Sequence, residues 1–404
     1  NAEMQRVEAE VSPLLAAHSD EIMMNVELFQ RVKKVYLGRK RAGLDAMQLR
    51  LTEKTYKDFE RNGANLSAEA QAKLAEINRQ LSEATVKYAQ NLLAANADYQ
   101  LLLKSDQLDG LPLSIQNAAK EAAKEAGHSG KYLFTLSSPS IFPFLTYSTQ
   151  RELREEIYTA YINRCNGGEW DNREVIRDIA SLRARRAKLL GYKSHAHYVL
   201  DDVMAKTPNA VYELLGDLWE PALDKAKEEL EDMRAIKKKD TKDEEFAAWD
   251  WWYYAEKLRK QRYNLDEQAL RPYFSLDNVR QGIFGLCNRL YGITFSPVNV
   301  EGYNKECSTY KVEDTDGTLL GVVIFDFFPR AGKSGGAWCG EYISMSMKDG
   351  KRVTPVVTVV CNFSRPAGNN PSLLTVDETE TFFHEFGHAL HNLFRNVHYN
   401  GVAG

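Results

Sequence analysis

Cysteine is scarce in this chain, and that scarcity is informative. Five residues among 404 (Cys165, Cys287, Cys307, Cys339, Cys361) form no CxxC pair and no dense framework, which excludes a zinc knuckle and a disulfide scaffold. Reduced thiols lean toward the cytoplasm over the periplasm, although a chain this long folds without disulfides in any compartment, so the compartment stays open. Long apolar runs are missing too. The stretch from Val356 to Cys361 falls far short of the roughly 20 residues a bilayer span needs, so no membrane partner is expected. Charge of one sign is also lacking: 52 Lys and Arg against 56 Asp and Glu leave a formal charge of −4, no field to draw phosphates, and hence no nucleic-acid partner. No repeat at 34 or 40 residues supports a solenoid.

What the chain does have is helical periodicity. Residues 2–124 place apolar side chains at helical spacing among strong helix formers, as in Leu74, Ile77, Leu81, Ala84, Tyr88 and Leu92. Asn65 is placed to cap a helix there. A short β-like run spans 132–136. Further helices are expected over 149–163, 171–190, 194–205, 208–237 and 246–263, with Asp171 and Thr207 as N-caps. Residues 237–245 hold eight charges in nine positions and read as a solvated loop. The crowded aromatics Trp249, Trp251, Trp252, Tyr253 and Tyr254 read as helix packing.

Past Gly292 β-branched and aromatic residues alternate over 309–312, 319–325, 341–345 and 354–361. About four strands with hairpin connections are expected, followed by a loop at 366–371 and a helix from 375 to about 396. The fold class is therefore mainly α with a small sheet. Three regions are expected: 1–130, helical; 131–292, a helical lobe; and 293–404, the sheet with its helix.

That last helix holds His384-Glu385-Phe386-Gly387-His388, an HExxH pattern. Two histidines four apart lie about 40° apart around a helix axis, so both imidazoles can reach one ion. Glu385 follows the first of them and is suited to take a proton from the attacking water. Neutral nitrogen ligands with a neighbouring carboxylate are what zinc-assisted hydrolysis requires. A chance HExxH somewhere in such a chain has odds on the order of one in a hundred. The helical setting and the flanking Phe382, Phe383, Leu390 and Leu393 favour a real site. The local sequence supplies no third ligand. The positions where a metzincin has Gly and His hold His391 and Phe394, and residues 389–404 contain no Asp or Glu. His391 lies about 10 Å along the axis from His384, which suits a supporting role. Gly332-Lys333-Ser334 lacks the leading glycine of a phosphate loop, since Phe327 stands there. The glycine-rich run 332–336 reads instead as a flexible loop beside the histidine helix.

The wording TFFHEFGHALH at 381–391 resembles the M3 family of zinc oligopeptidases. Residues 204–208 (MAKTP), 249–256, 271–274 (RPYF), 326–338 (DFFPRAGKSGGAW) and 361–363 (CNF) are similar to its bacterial peptidyl-dipeptidase branch. The resemblance implies a two-lobed helical ellipsoid with a deep substrate channel and the zinc helix on its floor. It implies one Zn²⁺ held by His384 and His388, and Glu385 as general base. The implied partners are short unstructured peptides cut by a monomer, with release of C-terminal dipeptides. Endo-acting cleavage within the same family and a catalytically incomplete peptide-binding fragment are the alternatives. The family's third ligand, a Glu on a following helix, and its Tyr and His residues for transition-state stabilisation would fall past Gly404. The expectation is thus a chain lacking both ends and nearly inactive alone.

Overall fold

Strong helix formers with recurrent apolar positions make most of the chain helical, as the computed structural model shows for residues 2–241, 245–300, 302–366 and 371–403. In chain order the helices are α1 (Ala2–Met23), α2 (Val26–Gly38), α3 (Ala46–Arg61), α4 (Ala68–Asp98), α5 (Leu113–Glu125), α6 (Ser138–Tyr147) and α7 (Arg151–Ile162). They continue with α8 (Arg173–Leu189), α9 (His195–Leu200), α10 (Pro208–Thr241), α11 (Trp251–Tyr263), α12 (Glu267–Leu270), α13 (Leu276–Tyr291) and α14 (Val376–Phe394). Two compact units emerge, one of Asn1–Ala95 with Asn163–Glu231, the other of Asn96–Ile162 with Asp232–Gly404.

In the first unit, local capping sets the helix starts. Asn25 accepts from the Leu28 amide at 2.9 Å, and Asp45 and Gln48 form a reciprocal capping box. Thr207 accepts from the Ala210 amide at 3.2 Å, as expected. Asn65 does not cap α4: Ser67 does, accepting from Ala70 at 3.3 Å, while Asn65 donates to Glu60 at 3.1 Å. Asp171 stands one residue ahead of the cap position of α8, held by Asn172, and binds the Arg173 amide and guanidinium. Helix α9 ends at Leu200, short of the expected 205.

The second unit contains the sheet. A two-stranded ribbon pairs β1 (Leu101–Leu103) with β2 (Tyr132–Phe134). A five-stranded sheet follows, built from β3 (Thr294–Val298), β4 (Ser308–Glu313), β5 (Leu319–Asp326), β6 (Trp338–Ile343) and, after the hairpin β7 (Ser346–Lys348) and β8 (Lys351–Val353), β9 (Val356–Val360). The order is β3-β4-β5-β9-β6, and β5 with β9 is its parallel pair. The strand β3 was not among those expected from sequence; it carries Pro297, which an edge strand tolerates, since the missing N–H can face outward. The expected hairpin order also fails for β5, whose second neighbour β9 arrives only after β6 has been laid down.

One correction concerns charge. Lys237, expected in a solvated loop, lies inside α10 with its side chain 1% exposed. Asp250, fully buried, draws it to 3.7 Å and also binds Arg154 at 2.9 Å and Arg151 at 3.1 Å. Burying one carboxylate requires cations beside it. Residues 242–244 of that expected loop lie outside the described residues. Of the crowded aromatics, Tyr254 is buried and Trp252 packs on Phe142 and Tyr158, at ring separations of 5.8 and 5.9 Å, whereas Trp251 stays at the surface.

Candidate metal centre

Helix α14 begins where Thr375 accepts from the Glu378 amide at 3.0 Å and the Glu378 carboxylate accepts from the Thr375 amide at 2.9 Å. Part of the loop expected before it, residues 367–370, lies outside the described residues. Phe382, Phe386, Ala389 and Leu393 repeat at helical spacing and bury one face. Phe325 of β5 meets Phe382 edge-on at 5.8 Å and stacks on Phe386 at 6.2 Å. Gly321 lets the end of the helix close on β5, because a Cβ there would stand 2.4 Å from Leu393 Cδ2.

Fixing that face fixes the other. His384 and His388 are exposed, and their Nε2 atoms lie 3.3 Å apart. Two ligands of a tetrahedral zinc ion, each about 2.05 Å from the metal, stand about 3.4 Å apart, so this donor pair fits the ion. Glu385 is 9% exposed, and no donor among the described residues bonds its carboxylate. The same holds for a third ligand: among the described residues no group of three His, Cys, Asp or Glu side chains is placed to hold a metal.

Beside this helix runs β6, an outer strand of the sheet. Asn392 donates to Cys339 Sγ at 3.5 Å, and Arg395 pairs with Glu341 at 2.6 Å, so strand and helix run in the same direction. Burial pushes the Cys339 thiol up, and neighbouring Glu385 adds to that effect.

The glycine-rich run leading into β6 is not loose. The Lys333 ammonium, 4% exposed, donates to the carbonyls of Asp326, Phe328 and Cys361 at 3.1, 2.9 and 2.6 Å and to Asp326 Oδ1 at 2.9 Å. Its burial lowers its pKa, and Asp326 opposes that shift. Asp326 also takes two bonds from Arg330, at 2.7 and 2.8 Å, and one from the Tyr303 hydroxyl at 2.8 Å. Burial alone would raise the Asp326 carboxyl, but these donors outweigh it and hold it low. Asn362 completes the clamp by donating to the carbonyls of Ser334 and Gly336 at 3.0 and 2.7 Å. Sequence reasoning missed this clamp; its available signal was an Asp closing an apolar strand, followed four and seven residues later by Arg and Lys.

With this geometry in place, comparison with known proteins gives the class. The profile of Peptidase family M3 matches residues 144–404, and the chain belongs to that family. It is 35% identical over 408 residues to dipeptidyl carboxypeptidase of Escherichia coli strain K12, covering 100% of this chain and 60% of that one. It is 35% identical over 410 residues to oligopeptidase A of Salmonella typhimurium strain LT2, with the same coverage. To the organellar oligopeptidase A of Arabidopsis thaliana it is 34% identical over 379 residues, covering 90% of this chain and 48% of that one. The chain thus spans about 60% of the length of the two bacterial relatives.

Proposed function

We propose that the protein is a zinc peptidase that releases C-terminal dipeptides from short unstructured peptides and works as a monomer. The observation behind this is the pair of exposed imidazole nitrogens 3.3 Å apart, with a buried, unbonded glutamate in the same helical turn. His384 and His388 would hold the zinc ion, which would supply Lewis acidity toward the scissile carbonyl and the attacking water. Glu385 accepts the proton of that water and returns it to the leaving amine; a carboxylate with no competing donor is suited to both transfers. The outer edge of β6 offers unpaired backbone groups along which an extended peptide can align. The 326–338 sequence and the dipeptidyl carboxypeptidase likeness support dipeptide release. Among the described residues no helix is long and apolar enough to cross a membrane.

The decisive experiment is Glu385→Gln in the protein at its natural length. We expect kcat to fall about 10³-fold with zinc content unchanged. Hydrolysis at the original rate in that variant would overturn the assignment.

A further inference from the structure

A cavity of about 380 Å³ opens in the second unit beside the N-terminal half of α14. Its volume lies within the range of about 300–1,000 Å³ typical of ligand sites. Phe142 and Pro143 of α6 and Phe363 give it an apolar wall, while Gly336, Thr381 and Arg271 also line it. Phe142 is braced from behind by Trp252 and Tyr161, each with ring centroids 5.8 Å away.

The location of the cavity relates it to the histidines. Thr381 is three residues before His384, about 4.5 Å along the helix axis, and Gly336 is two residues before β6 begins. Helix α14 and β6 run in the same direction, since Asn392 meets Cys339 and Arg395 meets Glu341. A peptide pairing antiparallel to the outer edge of β6 runs against both elements. Its C-terminal end therefore points toward the cavity.

Arg271 supplies the chemistry. The residue is 5% exposed; its Nη2 donates to the Leu373 carbonyl at 2.7 Å and the Ser364 hydroxyl at 3.3 Å, and its buried Nε–H has no partner among the described residues. A buried guanidinium N–H without an acceptor is costly, and the planar fork of arginine matches a carboxylate. The acids nearby are largely engaged. Glu378 accepts from the Ser364 amide and hydroxyl and from the Thr375 amide, and Glu267 pairs with Arg259 at 3.0 Å. Asp377, in the first turn of α14, stands on the same wall and sets the opposing charge.

We propose that this cavity receives the C-terminal residues of the substrate, with the terminal carboxylate on Arg271 and the last side chain against Phe142, Pro143 and Phe363. The proposal rests on the peptidase reading above. It is tested in the protein at its natural length, with peptide pairs that differ only in a free or amidated C-terminus. The wild type should show a KM about 10-fold lower for the acid. Arg271→Gln should raise the KM of the acid to that of the amide while kcat stays near wild type, and Arg271→Lys should restore part of the preference. Phe142→Ala should weaken discrimination in favour of an aromatic last residue. Calorimetry on the Glu385→Gln variant should show the acid binding about 10-fold more tightly than the amide, and adding Arg271→Lys should reduce that ratio. The calorimetric arm reads the cavity even if no peptide is hydrolysed, an outcome that would strike the peptidase reading instead. Equal affinity for acid and amide, or a preference that survives in Arg271→Lys and Arg271→Gln alike, would overturn the proposal.

Discussion

Helix α1 places 22 residues in a helix and buries none of their side chains; Met4, Leu14 and Leu15 are 63–67% exposed. Helix α14 has 19 residues and buries six, among them Phe382, Phe386 and Leu393, each at most 2% exposed. Both sequences form helices readily, so propensity does not separate them. The separation comes from the partner surface. Helix α14 has β5 and β9 beneath it, and its aromatic face joins a cluster that includes Phe325, Phe327 and Phe363. The clusters in the first unit are smaller, such as Phe29, Phe59 and Ala64. A side chain on a helix whose other face is locked is held in one direction, which a pair of metal-binding imidazoles needs.

The largest test of this contrast is Phe382→Ala. Truncating a fully buried aromatic should cost about 3–5 kcal/mol, read as a lower denaturation midpoint, and should weaken zinc retention in the protein at its natural length. A loss below about 1 kcal/mol would show that the helix is held by something other than this face.

A second test uses the clamp that leads into β6. The folded-state pKa of Asp326 is lowered, so its stabilising contribution is fully present above the unfolded value near 3.8 and is lost as pH falls through the lower folded value. Asp326→Asn should therefore flatten the acid limb of the stability profile below about pH 4 and lower stability at neutral pH by about 3 kcal/mol, because it leaves Lys333 and Arg330 without their buried counter-charge. An unchanged acid limb would place the pH sensitivity elsewhere, with Asp250 the next group to test, since burial is outweighed there by bonds from Arg151 and Arg154 and its carboxyl is also lowered.

The smallest effect is expected in α1. Leu14→Ala should change stability by less than about 0.5 kcal/mol in the 404-residue chain, as measured by chemical denaturation. A loss near that of Phe382→Ala would erase the contrast.

Much of the fold was legible because its signals are local. The apolar spacing of Phe382, Phe386 and Leu393 marks a helix, alternation at 319–325 marks a strand, and Thr207 before Pro208 marks a cap. What escaped depends on partners distant in the chain. Strand β3 pairs with β4 at the sheet edge, and only that place makes its Pro297 acceptable. Lys237 reads as solvated from its charged neighbours because its counter-charge, Asp250, lies thirteen positions away. The loop at 332–336 reads as flexible from its glycines, whereas Lys333 finds four acceptors outside it, on Asp326, Phe328 and Cys361.

For the candidate site the division is similar. Sequence alone determined the HExxH pair, since a spacing of four residues on a helix places two imidazoles on one face whatever surrounds it. Sequence alone also determined that residues 389–404 provide no carboxylate. Tertiary structure decided that the pair faces outward while Glu385 is buried, that β6 lies alongside with an outer edge, and that Arg271 is buried in the wall of a cavity formed with α6 and α14. Periodicity fixes which side chains share a face, but only packing chooses which face is buried and what stands opposite it.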